Sequence, residues 1–171
     1  MSTYAQIKQI YPEVMTLAQL LDLAIAHKKS LALETKHPVP TGNRVEELVI
    51  AELHKRKDII AASGIDIAIM SFSWFAIEKI KKMDPTIKTV MLLHESNALI
   101  ARRFTSAQVI GPSVEMIKKS PELAKEIKKS GKELYVWTVD STQDLQFCAS
   151  VGVDIVMTNR PAHARSVLGY S

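Results

Sequence analysis

Cysteine is almost absent from this chain. A single Cys148 in 171 residues excludes an internal disulfide and leaves no cysteine spacing of the kind that holds zinc. Its apolar helical context makes it a small core residue. Long hydrophobic runs are absent too, and nothing approaches the roughly 18 consecutive apolar residues of a membrane span. The first residues (Met1-Ser2-Thr3-Tyr4-Ala5-Gln6) are polar and carry no secretory-signal pattern, so the expected location is cytoplasmic. Glycine is sparse at 6 residues, and no G-x-G-x-x-G or P-loop run follows any strand-like segment, which lowers a nucleotide-binding reading. No two-residue hairpin signal occurs either. Excess charge is small, with a formal net charge of +4. The lysines are spread along helical segments as solvated faces and are not clustered among aromatics, so no nucleic-acid partner is expected.

What is present is alternation. With 47% hydrophobic and 23% charged residues, the chain has the balance of an ordinary globular domain large enough for one core. Thr16 reads as the N-cap of a helix reaching about Lys28. Strand patterns fall at Leu31–Lys36, Asp66–Phe72, Lys88–Leu93, Ala107–Gly111, Glu133–Val139 and Asp154–Thr158. Helical patterns lie between them: about Arg44–Arg56 with Val45, Leu48, Val49 and Leu53 inward, Trp74 to Ile80, Asn97–Phe104, two short pieces around Val114 and Pro121, and Thr142–Val151. Pro161 opens a last helix. Six strands joined by crossover helices mean a parallel sheet covered by helices. A doubly wound open sheet and a (β/α)8 barrel both fit. Polar or aromatic residues at strand ends (Glu34/Lys36, Ser71/Phe72, His94/Glu95, Trp137/Asp140, Asn159/Arg160) favour the barrel, whose site is assembled from several strand ends.

The stretch Leu31–His37 (LALETKH) is the most informative. Glu34 and Lys36 are two residues apart on a strand and so share a face. An acid and a base at the carboxyl end of a strand that feeds a helix stand where α/β proteins place their chemistry. An inward salt bridge in the barrel core is the competing use. His94 and Glu95 end another strand, but as neighbours they face opposite ways. His27, His37, His54 and His163 fall at surface or cap positions.

These residues resemble a known family. Leu33-Glu34-Thr35-Lys36 looks like the E-[IT]-K strand of glycerophosphodiester phosphodiesterases. Ser71-Phe72 resembles their S-F strand end, Gly131–Val139 (GKELYVWTV) their V-W-T-V strand, and Gly152–Pro161 (GVDIVMTNRP) their closing G-V-D segment. Pro12–Leu21 resembles the helix before the E-x-K strand. The resemblance implies a (β/α)8 TIM-barrel type of α/β fold. The H-R-G strand, acidic metal pair and H-D motif of the family have no counterpart here. At roughly 31 residues per βα unit the chain supplies about six, so strands three to eight of an incomplete barrel are expected. One domain would then span 1–171, with a helical lead-in over 1–30 and six βα units over 31–171.

The implied activity is metal-dependent hydrolysis of a glycerophosphodiester to glycerol phosphate and an alcohol. Glu34 would be a ligand to a divalent metal, Mg2+ or Ca2+, Lys36 the catalytic cation on the phosphoryl group, and Trp137 and Phe72 substrate-binding walls. One carboxylate holds a hard cation poorly, so little or no activity is expected of this chain alone. A non-catalytic barrel remnant binding a phosphate ligand or partner chain is the alternative. Asn159 stands where the family usually has aspartate. The two sheet edges of an unclosed barrel would be left unpaired, and a homodimer covering them is expected, with residues 1–30 or a collapse of the sheet as the other candidates.

Overall fold

The computed structural model of the chain describes residues 3–39, 42, 44–96 and 98–170, with the side chains of Leu99 and Ile100 also set aside. Asn97, read above as the start of a helix, lies outside that set. Six parallel strands run in sequence order through one sheet: β1 (Leu31–Glu34), β2 (Ile67–Ser71), β3 (Lys88–Leu92), β4 (Val109–Gly111), β5 (Glu133–Val136) and β6 (Ile155–Val156). Each successive pair is joined through helix, and strand order equals chain order, as in a barrel winding in one direction. A doubly wound sheet would reverse its order at a switch point, and this one does not. The curl is visible in a cavity of about 420 Å3 lined by Ala32 of β1 and Ile155 of β6 as well as by Ala68, Lys88, Glu133 and Tyr135. The sheet is a curled half-barrel.

Local chemistry sets the helix limits. In α1 (Tyr4–Ile10) and α2 (Leu17–Ala26) a threonine N-cap and a glutamine three residues on bond each other's backbone N–H groups. At the second box Thr16 Oγ1 accepts from the Gln19 N–H at 3.2 Å, and Gln19 Oε1 accepts from the Thr16 N–H at 2.9 Å. α3 (Arg44–His54) stops short of the expected Arg56, and a separate α4 (Lys57–Ser63) follows, closed by Gly64 with φ +71°. The remaining helices are α5 (Trp74–Met83), α6 (Ala98–Phe104), α7 (Val114–Lys119), α8 (Glu122–Lys129), α9 (Thr142–Ser150) and α10 (Pro161–Leu168). Pro121 caps α8 and Pro161 occupies the first position of α10, where a missing N–H costs nothing.

Alternation along the strands divides the core in two. On the convex side Leu31, Leu33 and Ile69 pack with Leu21 of α2, Ile50 and Leu53 of α3 and Ile80 of α5. Further round, Met91, Ile110, Leu134 and Val136 pack with Ile77, Ile117, Ile127, Leu145 and Cys148. The concave side holds Ala68, Val90, Leu92, Val109 and Tyr135, with Met70, Phe72, Trp137 and Met157 against them. At its amino end Lys88 Nζ donates to Glu133 Oε1 at 2.7 Å and Tyr135 Oη to Glu133 Oε2 at 3.3 Å. Because α2 packs into the helical layer, residues 17–26 act as the helix preceding β1 and share its convex core. The inward face of α3 differs from the sequence expectation: Glu46, Ile50 and Leu53 are buried, while Leu48 is 58% exposed. None of the described helices is long and apolar enough to cross a membrane.

Candidate active site

β1 presents its two sides differently. Leu31 and Leu33 enter the helical core and Thr35 is buried beyond them. Glu34, of opposite parity, pairs in register with Met70, whose side chain is on the concave face. Lys36 shares that face with Glu34, and its Nζ donates to Glu34 Oε1 at 2.9 Å. Both side chains reach solvent, with Lys36 79% and Glu34 25% exposed. The acid–base pair therefore stands at the carboxyl end of the half-barrel and not among the helices.

Across the sheet, Phe72 just past β2 and Trp137 just past β5 meet edge to face with centroids 5.3 Å apart. The Trp137 indole N–H donates to the Gly111 carbonyl at 2.8 Å, which pins the ring across β4. Gly111 allows this close layering. A Cβ there would come within 2.8 Å of the Leu92 side chain and 3.2 Å of Val90. His94, two residues past the end of β3, completes the aromatic group. Its ring stacks on Phe72 at 4.0 Å and 16°, and stands edge-on to Trp137 at 6.2 Å and 85°. Glu95 turns away, pairing with Lys119 at 2.9 Å. Sequence reasoning had set His94 aside as a neighbour of Glu95. The signal that would have found it is parity, since Lys88, Val90, Leu92 and His94 are alternate residues.

Two polar arrangements flank this end. His37 Nε2 lies 2.7 Å from Oε1 of Glu46, a carboxylate with no exposed surface whose Oε2 has no hydrogen-bond partner among the described residues. That pair clips the segment carrying Lys36 to the first turn of α3. His37 is thus half of a mostly buried pair, more enclosed than a surface residue. At the end of β6, Asp140 accepts from Thr158 Oγ1 (2.8 Å), from the Asn159 backbone N–H (2.8 Å) and from Asn159 Nδ2 (2.9 Å). Those bonds, from Asn159 first and Thr158 next, hold the Asp140 carboxyl below its ordinary range. Asn159 is therefore a donor at this strand end, matched to the aspartate at 140.

The residues do not assemble a metal centre by themselves. No group of three or more His, Cys, Asp or Glu that could hold a metal ion occurs among the described residues. Glu34 offers one carboxylate, already engaged by Lys36, whereas a hard cation such as Ca2+ takes six to eight oxygens. A single carboxylate is too small a donor set to hold such an ion on its own.

A parallel, in-order, curled sheet with charged and aromatic side chains gathered at its strand carboxyl ends defines a barrel-type α/β protein. The sequence pattern of the Glycerophosphoryl diester phosphodiesterase family matches residues 2–163. The chain belongs to that family. It is 33% identical over 162 residues to "Probable glycerophosphodiester phosphodiesterase 1" of Mycobacterium tuberculosis, covering 91% of this chain and 59% of that protein. To the glycerophosphodiester phosphodiesterase of Bacillus subtilis (strain 168) it is 30% identical over 156 residues, covering 87% of this chain and 52% of the relative. The chain thus spans between half and six tenths of the length of these curated relatives. Among solved structures, a glycerophosphodiester phosphodiesterase from Parabacteroides distasonis superimposes with a TM-score of 0.73 at 23% identity, over 90% of this chain and 63% of that one. An Oleispira antarctica phosphodiesterase, solved in complex with the product sn-glycerol-3-phosphate, does so with a TM-score of 0.71 at 17% identity, over 90% and 61%. These structures establish the barrel fold.

Proposed function

We propose that this chain carries a glycerophosphodiester site and belongs to an enzyme that hydrolyses such diesters to glycerol phosphate and an alcohol. The observation that carries the reading is the shared placement of Glu34 and Lys36 on the concave face, at the same end of the sheet as Phe72 and Trp137. In this reading Lys36 holds a phosphoryl oxygen and balances the charge that develops there. Phe72 and Trp137 wall the glycerol carbons. Glu34 contributes one ligand to a divalent cation, Mg2+ or Ca2+, as suits a family whose hydrolysis is generally divalent-metal-dependent. The rest of such an ion's coordination would be water and phosphoryl oxygens of the substrate. The 171 residues act as one domain, a lead-in of 1–30 and six βα units over 31–171, in the cytoplasm. Two copies pair through the free edges of β1 and β6.

The test is release of glycerol phosphate from glycerophosphocholine, with Mg2+ or Ca2+ and again with chelator. A slow, metal-stimulated rate that disappears in Glu34→Gln is expected. A rate indifferent to both metal and Glu34→Gln would overturn the assignment of Glu34, and failure of the chain to bind sn-glycerol 3-phosphate at all would overturn the site.

A further inference from the structure

The Lys36 side chain stands largely in water, and its partner Glu34 is partly exposed. An exposed ion pair is worth little and does not fix either side chain in one place. A lysine stem is long and flexible, so its reach is only as definite as the backbone that carries it. That definition comes from behind. Thr35, the residue before Lys36, is buried. Its N–H donates to the Met70 carbonyl at 2.9 Å, and its carbonyl accepts from the buried Ser71 hydroxyl at 2.7 Å. His37, the residue after Lys36, lies with Nε2 2.7 Å from Glu46 Oε1. The backbone of Lys36 is thus strung between two anchors, one on β2 and one on α3.

The anchor on α3 is built into the core. The Glu46 side chain has no exposed surface and that of His37 has 15%. A buried carboxylate that loses its partner is costly, so this pair persists where a solvated one would come and go. Glu46 shares the buried face of α3 with Ile50 and Leu53, and that face packs on Leu21 and Leu33 in the convex core. Beside it Glu47 accepts from Lys79 Nζ at 2.6 Å, which ties the same turn of α3 to α5. Glu46 also stands in the first turn of α3, where the helix favours negative charge. His37 therefore grips a point that moves with the core. Stability alone does not require such a bond, since an apolar pair of similar volume would seal the helix as well. What a directional imidazole–carboxylate bond adds is a fixed place for the chain next to it.

We propose that His37 is a positioning residue: its bond to Glu46 fixes the backbone at Lys36 so that the ammonium meets the phosphoryl group in one place. The proposal rests on the glycerophosphodiester reading, in which Lys36 holds a phosphoryl oxygen, and adds what holds Lys36. His37 acts only through its neighbour. The experiment measures binding of sn-glycerol 3-phosphate to the full chain by calorimetry, in the parent, Lys36→Ala, His37→Ala, His37→Gln and the double variant Lys36→Ala/His37→Ala. His37→Ala should weaken binding about fivefold to tenfold, as the cation is no longer held in advance. Glutamine brings an amide N–H near the place of the histidine Nε2, so His37→Gln should bind within about threefold of the parent. In the double variant, loss of His37 should add nothing to the effect of Lys36→Ala. Damage to the fold would not give that pattern, because it would weaken binding by the same factor with or without Lys36. That equal factor, a His37→Ala chain that binds as the parent does, or a His37→Gln chain no better than His37→Ala would each overturn the proposal and leave the site standing. If the parent does not bind, or Lys36→Ala binds as the parent does, the functional reading falls and the inference falls with it. Should His37→Ala fail to fold, the backbone amide of Lys36 in the parent decides by nitrogen relaxation: an order parameter of about 0.85, that of rigid backbone, is expected, and one below about 0.6 would overturn the proposal.

Discussion

Replacing Asp84 with asparagine will destabilise the fold at neutral pH, and acid will shrink the cost. Asp84 caps the carboxyl end of α5 and accepts from Thr86 N at 2.9 Å, Thr86 Oγ1 at 2.5 Å and His54 Nε2 at 2.8 Å. The last bond ties the end of α3 to the end of α5 across 30 residues of sequence. The Thr86 hydroxyl and then His54 lower its carboxyl from 3.8 to about 2. That lowering corresponds to about 2 kcal/mol at most, and solvent around a partly exposed staple trims it to about 1–2 kcal/mol. The folded value is the lower one, so this contribution is complete above the ordinary carboxylate range. It fades as pH falls from about 4 through about 2, and near pH 3 roughly half is gone. Asparagine keeps the shape and one acceptor oxygen and removes the charge. Urea denaturation followed by circular dichroism should place Asp84→Asn about 1–2 kcal/mol below the parent at pH 7 and about half that at pH 3. An equal gap at both pH values would refute the argument, since the charge would then contribute nothing.

The Asn159 amide donates to Asp140, so Asn159→Asp would set two carboxylates against each other at hydrogen-bonding distance. Its melting temperature should fall at pH 7 and recover toward the parent's below about pH 4, where one of the pair protonates. Adding Asp140→Asn should restore much of the loss at neutral pH, and a double variant no better than the single would contradict the pairing. If β1 and β6 pair between copies, sedimentation should show a dimer whose population grows with concentration; a monomer throughout the high micromolar range would remove that proposal.

Much of this fold could be read from residue patterns because local chemistry and tertiary packing agree. Thr16, Pro121 and Pro161 sit at the helix starts their side chains favour. The apolar strands lie in a sheet covered on its convex side by helices, and Cys148 is in the core as its setting suggested. Glu34 and Lys36 share a face because alternation is a backbone property that needs no tertiary knowledge. Misreadings arose where the deciding partner is distant in sequence. Leu48 looked like a core residue, yet the turn of α3 that faces inward carries Glu46, whose burial depends on His37 nine residues earlier. The separate α4 escapes a pattern reading because it is short and none of its residues is fully buried; Gly64 is its clearest mark. His94 has a legible face, but its ring partners come from two other strands, and no local pattern identifies them.

At the carboxyl end of β1 the Lys36 side chain stands largely in water, and Glu34 beside it is partly exposed. At fixed separation, the pull between two charges is about fourfold weaker in a water-like medium than in one typical of a protein surface. An anion bound at Lys36, itself 79% exposed, would be held as on an ion-exchange bead, tightly in dilute buffer and loosely in brine.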